Sequence, residues 1–210
     1  MSTHRSHIPL SLVVGAGSRD VSDGDLARGL AAGTAWATTE TWNRFAPMIL
    51  MMAARTLGSD SEAEDIAQEV FHRVFRKAKT LREPNSLRSF VVSFAIRLLK
   101  TELRRKKTRS WLSFQQPETF VDLAWGTLDI ESRDLLRKFY ALLDRLAPRD
   151  RLVFALRHLE WMTVEEIAAS MELSASTVKR SLGHAAEKLA CWIETDPGME
   201  GLLDGKGWNR

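Results

Sequence analysis

Residues 155–189, ALRHLEWMTVEEIAASMELSASTVKRSLGHAAEKL, decide how the rest of the chain reads. Thr163 and Glu166 stand in the T-x-x-E spacing of a capping box, which starts a helix at Val164. Ile167, Ala168 and Met171 then fall on one face at helical spacing. Leu173 is an apolar turn residue and Ser174 the next N-cap. A second helix carries Val178, Leu182, Ala185 and Leu189 as its apolar stripe. Ser176, Thr177, Lys179, Arg180 and His184 project away from that stripe. Short polar and basic side chains at the exposed start of a second helix suit a recognition helix, because those positions reach base edges and flanking phosphates. Taken alone, the stretch also fits an ordinary helical hairpin with a solvated basic face.

Working outward, the 210 residues suffice for one large or two small domains. The formal net charge is only +3, but its distribution is uneven. Arg73, Arg76, Lys77, Lys79, Arg82 and Arg88 are followed by Arg97, Lys100, Arg104, Arg105, Lys106, Lys107 and Arg109, with only Glu83 and Glu102 opposing them. Such a segment attracts polyanions. Acidic residues gather at 62–69, at 118–134 and in the tail.

A single cysteine, Cys191, excludes an intramolecular disulfide and fits a helix-buried thiol in a reducing cytoplasm. No apolar run is long enough to span a membrane, so no membrane insertion is expected. The beginning, with IPLSLVVGAG at 8–17, is too short and too interrupted by Pro9 for an export signal. Residues 1–21 read as a flexible arm. The seven tryptophans read mostly as core residues.

Ser22 or Asp23 caps a short helix through Leu26 and Leu30 that Gly33 ends. A longer helix runs from Trp36 to Leu57, with Pro47 inside it as a kink or a new start and Gly58 as its C-cap. Ser61 and Glu64 form a capping box for the next helix. There Ile66, Val70 and Val74 stack on one face, while Asp65, Gln68, Glu69 and His72 occupy the other. A solvated face is the plain reading of those four. After a loop at 79–89, a helix from about Leu87 to Lys107 has Phe90, Phe94, Ile96, Leu99 and Leu103 on its apolar side. Its other side and its end are basic, and Trp111 and Phe114 follow. Basic groups neutralise phosphates and aromatic faces stack on unpaired bases. Residues 113–132 read as an acidic linker. Helices are expected from Asp134 to Leu146 and from Arg149 to Leu159, and residues 196–210 form a tail. The expected fold is all-α: two small helical domains joined by a flexible linker, at 22–112 and 133–195, the second containing the helix-turn-helix.

The order of these parts is specific. EAEDIAQEVF at 62–71, a basic helix, an acidic linker, then LAPRDRLVFALRHLEWMTVEEIA at 146–168 and STVK at 176–179 follow one another without gaps. This resembles the extracytoplasmic-function (ECF) group of bacterial sigma factors. The resemblance implies a non-enzymatic, cofactor-free and metal-free cytoplasmic subunit that binds core RNA polymerase and directs promoter-specific initiation. It implies that Asp65, Gln68, Glu69 and His72 dock on the clamp helices of the polymerase's largest subunit. Melted promoter DNA would meet Arg82, Asn85, Arg88, Phe90, Arg97, Lys100, Arg104, Arg105 and Trp111. Duplex promoter DNA would meet Ser176, Thr177, Lys179, Arg180 and His184. An anti-sigma factor is a further implied partner.

The chain departs from the family pattern at identifiable places. Phe90-Val91 stands for a usual Trp-Leu, Arg97 for a usual Asn, and Thr101 for an acidic residue. Glu172 replaces the common turn glycine, at a cost of about 1 kcal/mol if the left-handed conformation is kept. Gly183, His184 and Ala186 thin out the usual cations of the recognition helix. The alternatives are a stand-alone helix-turn-helix regulator and a sigma-like module that titrates a regulator. A carboxylate metal site at Glu62, Asp65 and Glu69 lacks a completing ligand, and His72, His158 and His184 follow no metal spacing.

Overall fold

The computed structural model describes residues 21–112 and 130–195, with side chains over 21–108 and 133–195. The helices are α1 (Asp23–Ala31), α2 (Ala35–Leu57), α3 (Asp60–Lys77), α4 (Leu87–Leu112), α5 (Ile130–Arg145), α6 (Pro148–His158), α7 (Val164–Met171) and α8 (Ala175–Glu194). Two 3-10 turns, Ala78–Thr80 and Pro84–Ser86, join α3 to α4. Among the described residues there are no strands. The arm, most of the linker and the tail lie outside the described residues.

Local chemistry sets the ends. Ser22 accepts from the Asp25 amide and caps α1. Gly58 ends α2 at φ +71°, the left-handed conformation that a residue with a Cβ enters at a cost. The extended residue after that turn is Ser59. Its hydroxyl, not that of Ser61, therefore caps α3 by accepting from Glu62 N at 3.3 Å. Ser59 and Ser61 both stand three residues before a glutamate, and the glycine decides between them. Pro47 starts no new element, for α2 runs unbroken from Ala35 to Leu57. Pro47 and Asn43 are both exposed, so the Asn43 carbonyl that loses its intrahelical donor is on the solvent side of the helix. Helix α4 continues past the expected Lys107 to Leu112.

The first core joins Phe45, Ile49 and Ala53 of α2 to Ile66, Val70, Phe71 and Val74 of α3 and to Val91, Ala95 and Leu99 of α4. Trp42 lies on Phe71 with ring centroids 4.7 Å apart. The second core joins Tyr140, Leu143, Leu152, Phe154, Ile167, Val178, Ala185 and Leu189. The two are continuous, because α6 packs against α8 on one side and against α2 and α4 on the other. Every residue from Asp150 to Leu156 is buried in consequence.

The C-terminus of α2 ties these halves together. A helix leaves its last four carbonyls without intrahelical donors. Ala54 O receives the Gly58 amide at 2.7 Å. Arg55 O receives the Tyr140 hydroxyl at 3.0 Å. Arg151 donates Nε to Thr56 O at 3.1 Å and Nη2 to Leu57 O at 2.9 Å. Lys106 Nζ adds a second donor to Leu57 O at 3.0 Å. Arg151, buried at 3 % exposure, is also paired with Asp144. Lys107 of α4 does the same at the end of α5, donating to Asp144 O at 3.2 Å and Arg145 O at 3.3 Å. Cations at helix C-termini also meet the negative end of the dipole.

Gly58→Ala should destabilise the protein by about 1 kcal/mol, since alanine must hold the left-handed angle or break the turn. Urea unfolding followed by helical circular dichroism measures it.

Candidate nucleic-acid and polymerase interfaces

On α3, Asp65, Gln68, Glu69 and His72 stand at i, i+3, i+4 and i+7 and form one outward stripe. Asp65, Gln68 and His72 are exposed and Glu69 is half-exposed. Glu69 holds Arg73 Nε at 2.7 Å and lies 3.9 Å from His72 Nδ1, so the stripe is electrostatically mixed along its edge. Glu62, at the start of α3, turns instead toward Lys106 at 3.1 Å.

On α4, Phe90, Arg97 and Arg104 recur every seven residues and share the side opposite the core row Val91, Ala95 and Leu99. Phe90 is half-buried and meets Phe94 edge-on at 5.0 Å. Lys100 is half-buried on the flank of that side, and Arg105 is exposed on the other flank, 3.4 Å from Glu102. Arg82 and Asn85 lie on the connection that leads into α4 and Arg88 in its first turn, all exposed, and Arg88 rests 3.8 Å from Met48 Sδ. The Trp111 side chain lies outside the described residues.

The basic run is therefore not one surface. Lys106 is 9 % exposed and serves the end of α2 and Glu62. Lys107 serves the end of α5. Periodicity already points to this for Lys106, three residues beyond the buried Leu103 on the core side. A fully cationic reading of the segment hides it.

The helix-turn-helix forms as its caps predict. Thr163 and Glu166 exchange both capping-box bonds, and Ser174 accepts from Thr177 N at 3.2 Å. The Thr163 amide and hydroxyl hold the Glu166 carboxylate below its usual pKa, and Arg88 adds to this through space. Glu172 adopts φ 57°, ψ 47°, the left-handed turn in place of glycine. Ser176, Lys179, Arg180 and His184 are exposed on α8 and Thr177 is half-buried. A Cβ added at Gly183, on the same exposed side, would meet nothing within 4 Å.

Cys191 and two of the tryptophans depart from the sequence expectation. Cys191 is exposed, not helix-buried, because it follows Ala190 off the Ala185–Leu189–Trp192 side of α8. Trp161 and Trp36 are 81 % and 50 % exposed, not core. Trp161 takes φ 57° in the loop before α7, where the bonds from Glu160 N to Ala155 O and from Met162 N to Leu156 O hold the turn. His158 packs on Phe154 with ring centroids 4.6 Å apart, and burial lowers its pKa. Arg151 is the functional-looking cation that pattern reading missed. Its signal was its place at the head of an unbroken apolar run, 152–156.

A helical unit with a cationic, aromatic-bearing helix, followed by a helix-turn-helix unit, is an arrangement suited to a two-part DNA-binding protein. The first part matches the family model Sigma-70 region 2 over residues 41–109, and the second matches Sigma-70, region 4 over residues 136–189. The RNA polymerase sigma-E factor of Streptomyces coelicolor is 32% identical over 141 residues, covering 67% of this chain and 77% of that one. The ferric citrate uptake sigma factor FecI of Escherichia coli is 32% identical over 142 residues, with 63% and 77% covered. A solved structure of CnrH in complex with the cytosolic domain of CnrY shares the fold at TM-score 0.58 and 22% identity, covering 83% of this chain and 98% of that one. The chain belongs to the extracytoplasmic-function group of RNA polymerase sigma factors. It is an alternative sigma factor: it binds core RNA polymerase and promoter DNA and directs transcription initiation. No described helix is long and apolar enough to cross a membrane, and among the described residues no cluster of three or more His, Cys, Asp or Glu is placed to hold a metal.

The split of the basic run has a measurable consequence. Lys106→Ala should cost about 2 kcal/mol of stability, as a buried charged donor is removed from a carbonyl and a carboxylate. Arg104→Ala should change stability by less than about 0.5 kcal/mol. Chemical denaturation of both variants separates a folding cation from a surface one.

Proposed function

We propose that the work of initiation divides among three surfaces of this chain. The outward stripe Asp65, Gln68, Glu69 and His72 docks on the clamp helices of the largest polymerase subunit, where an acidic helix face meets a basic coiled coil. The turns and exposed side of α4, with Arg82, Asn85, Arg88, Phe90, Arg97, Lys100, Arg104, Arg105 and Trp111, hold melted promoter DNA. The start of α8, with Ser176, Thr177, Lys179, Arg180 and His184, reads the distal promoter element as duplex in the major groove. The observation that carries this reading is the seven-residue repeat of half-buried Phe90 with exposed Arg97 and Arg104 on one side of α4. A stand-alone helix-turn-helix regulator has no use for an aromatic and cationic stripe on a second unit.

Neither DNA surface needs high affinity of its own. Tethering to polymerase raises the effective concentration of each at the promoter. The chain works in the cytoplasm, where its polymerase partner is. It contributes no catalytic group, and nucleotide transfer belongs to the polymerase. An anti-sigma protein partner is supported by the fold shared with CnrH, whose solved structure holds the cytosolic domain of CnrY.

Transcription in vitro with purified core polymerase, this protein and a library of promoter-sized fragments tests the reading. Transcripts that require the added protein are expected. Core binding without transcripts favours a titrating module, and duplex binding without core binding favours a stand-alone regulator. Reversing Asp65 and Glu69 to lysine should abolish core binding and leave the helical signal intact. Replacing Arg104 and Arg105 by alanine should spare core binding and reduce promoter opening about tenfold or more. Replacing Lys179 and Arg180 by alanine should weaken distal-element promoters and flatten the salt dependence by roughly one unit of slope for each phosphate no longer neutralised.

A further inference from the structure

We propose that Gly24 of α1 is a positioning residue for promoter reading: its missing side chain seats the Asn85 carboxamide where it reads a base of the melted strand. The inference rests on the assignment of Asn85 to melted DNA. Asn85 stands in the Pro84–Ser86 turn just before α4, and that turn packs on α1. A Cβ at Gly24 would stand 2.9 Å from Asn85 Oδ1, closer than real Cβ atoms come to a neighbour. The other neighbours of that Cβ, Arg28 Nη1 and Ser22 Oγ at 3.6 Å, are at ordinary contact distance. Gly24 is buried and Asn85 is exposed. Asn85 therefore rests on bare backbone while it stays open to solvent.

The backbone at this place has no need of glycine. Gly24 is the second residue of α1 and is not among the glycines with positive φ, and alanine forms helix more readily. What glycine supplies is room, and one polar oxygen fills it. Gly29, on the same helix, differs. A Cβ there would stand 2.7 Å from Ala37 Cβ and 2.8 Å from Trp36 Cζ2, so Gly29 serves helix packing. The platform under Asn85 is fixed, since Ser22 caps α1 and Asp23 holds Arg44 of α2 at 3.0 Å. The connection is anchored by Leu81, packed on the core, and by the buried Leu87. Ser86 N closes its turn on Glu83 O at 2.9 Å. A carboxamide offers a donor and an acceptor and can pair with the edge of an unstacked base. Such reading needs the amide held to about 0.5 Å. A Cβ at position 24 moves the oxygen by about that much, from 2.9 Å out to ordinary contact at 3.4 Å or beyond. The atom that must move is the end of an exposed side chain, so the change falls on reading and not on folding.

The test compares the full chain with Gly24→Ala, Asn85→Ala, the double variant and, as a packing control, Gly29→Ala. Each is assembled with core polymerase and transcribes promoters from the fragment library that are varied one base pair at a time across the melted element. Urea unfolding of each free factor is measured beside it. Asn85→Ala should relax the base preference at one position about fivefold or more. Gly24→Ala should relax the preference at that same position about threefold or more, with a urea midpoint no lower than the parent's. The double variant should lose no more than Asn85→Ala alone, because both changes act through one side chain. Gly29→Ala should lower the urea midpoint and leave the preference as it is. An unchanged preference in Gly24→Ala beside a relaxed one in Asn85→Ala would overturn the seating role and leave Asn85 on the DNA surface. An unchanged preference in Asn85→Ala would remove Asn85 from that surface and the proposal with it. Additive losses in the double variant, or the same relaxation in Gly29→Ala, would show general loosening of α1 and overturn the proposal. So would a Gly24→Ala variant that loses stability and transcribes all promoters equally less.

Discussion

The end of α2 is the constraint on which the arrangement depends. Four carbonyls must find donors there, and only one donor, the Gly58 amide, comes from the local chain. The others come from α4, α5 and α6 through Lys106, Tyr140 and Arg151. A neutral carbonyl accepts a charged donor without confronting it with a second buried charge, and the dipole favours cations at this end. Arg151 can be buried because its fork meets two carbonyls while Asp144 balances its charge. Burial of α6 on all sides follows from the same geometry, since the helix that carries Arg151 lies between α8 and the first unit.

Charge in this protein does two different jobs, and they are mixed along α4. Cations on the core side of the helix or on its flank toward α5, Lys106 and Lys107, are taken up by helix ends. Those on the opposite side, Arg97 and Arg104, remain exposed. One turn of helix separates the two uses. The same helix can then stabilise the fold and offer a surface to a polyanion, because the side chains point in different directions from one rigid rod.

Unusual residues gather at the junction and around the helix-turn-helix. Glu172 holds a left-handed angle that glycine would take freely, and its carboxylate reaches Arg97. Trp161 holds a similar angle one helix earlier and stays almost wholly exposed. Glu160, beside it, is half-buried against Arg55, and burial pushes its carboxyl pKa up while the guanidinium works against that. Glu160 and Glu172 are acids committed to contacts between the two units, and Trp161 is the neighbouring residue whose side chain packs on neither.

The sequence alone determined the all-helical class, the two-part order, the helix-turn-helix and most helix ends. Those features rest on local physics: the Thr163–Glu166 box, the Ser174 cap, the Gly58 stop and apolar spacing at three and four residues all act within a turn or two of chain. It also placed the stripes on α3, α4 and α8, because periodicity assigns faces. It misassigned the cap of α3 because two serines satisfy the same pattern. Only the tertiary structure decided which cations are buried, that Arg151 closes the end of a distant helix, and that Arg97 meets Glu172. Those contacts join residues 44 to 95 positions apart. No local rule reaches that far: a charged side chain has the same pattern whether its partner is water, a helix end or DNA.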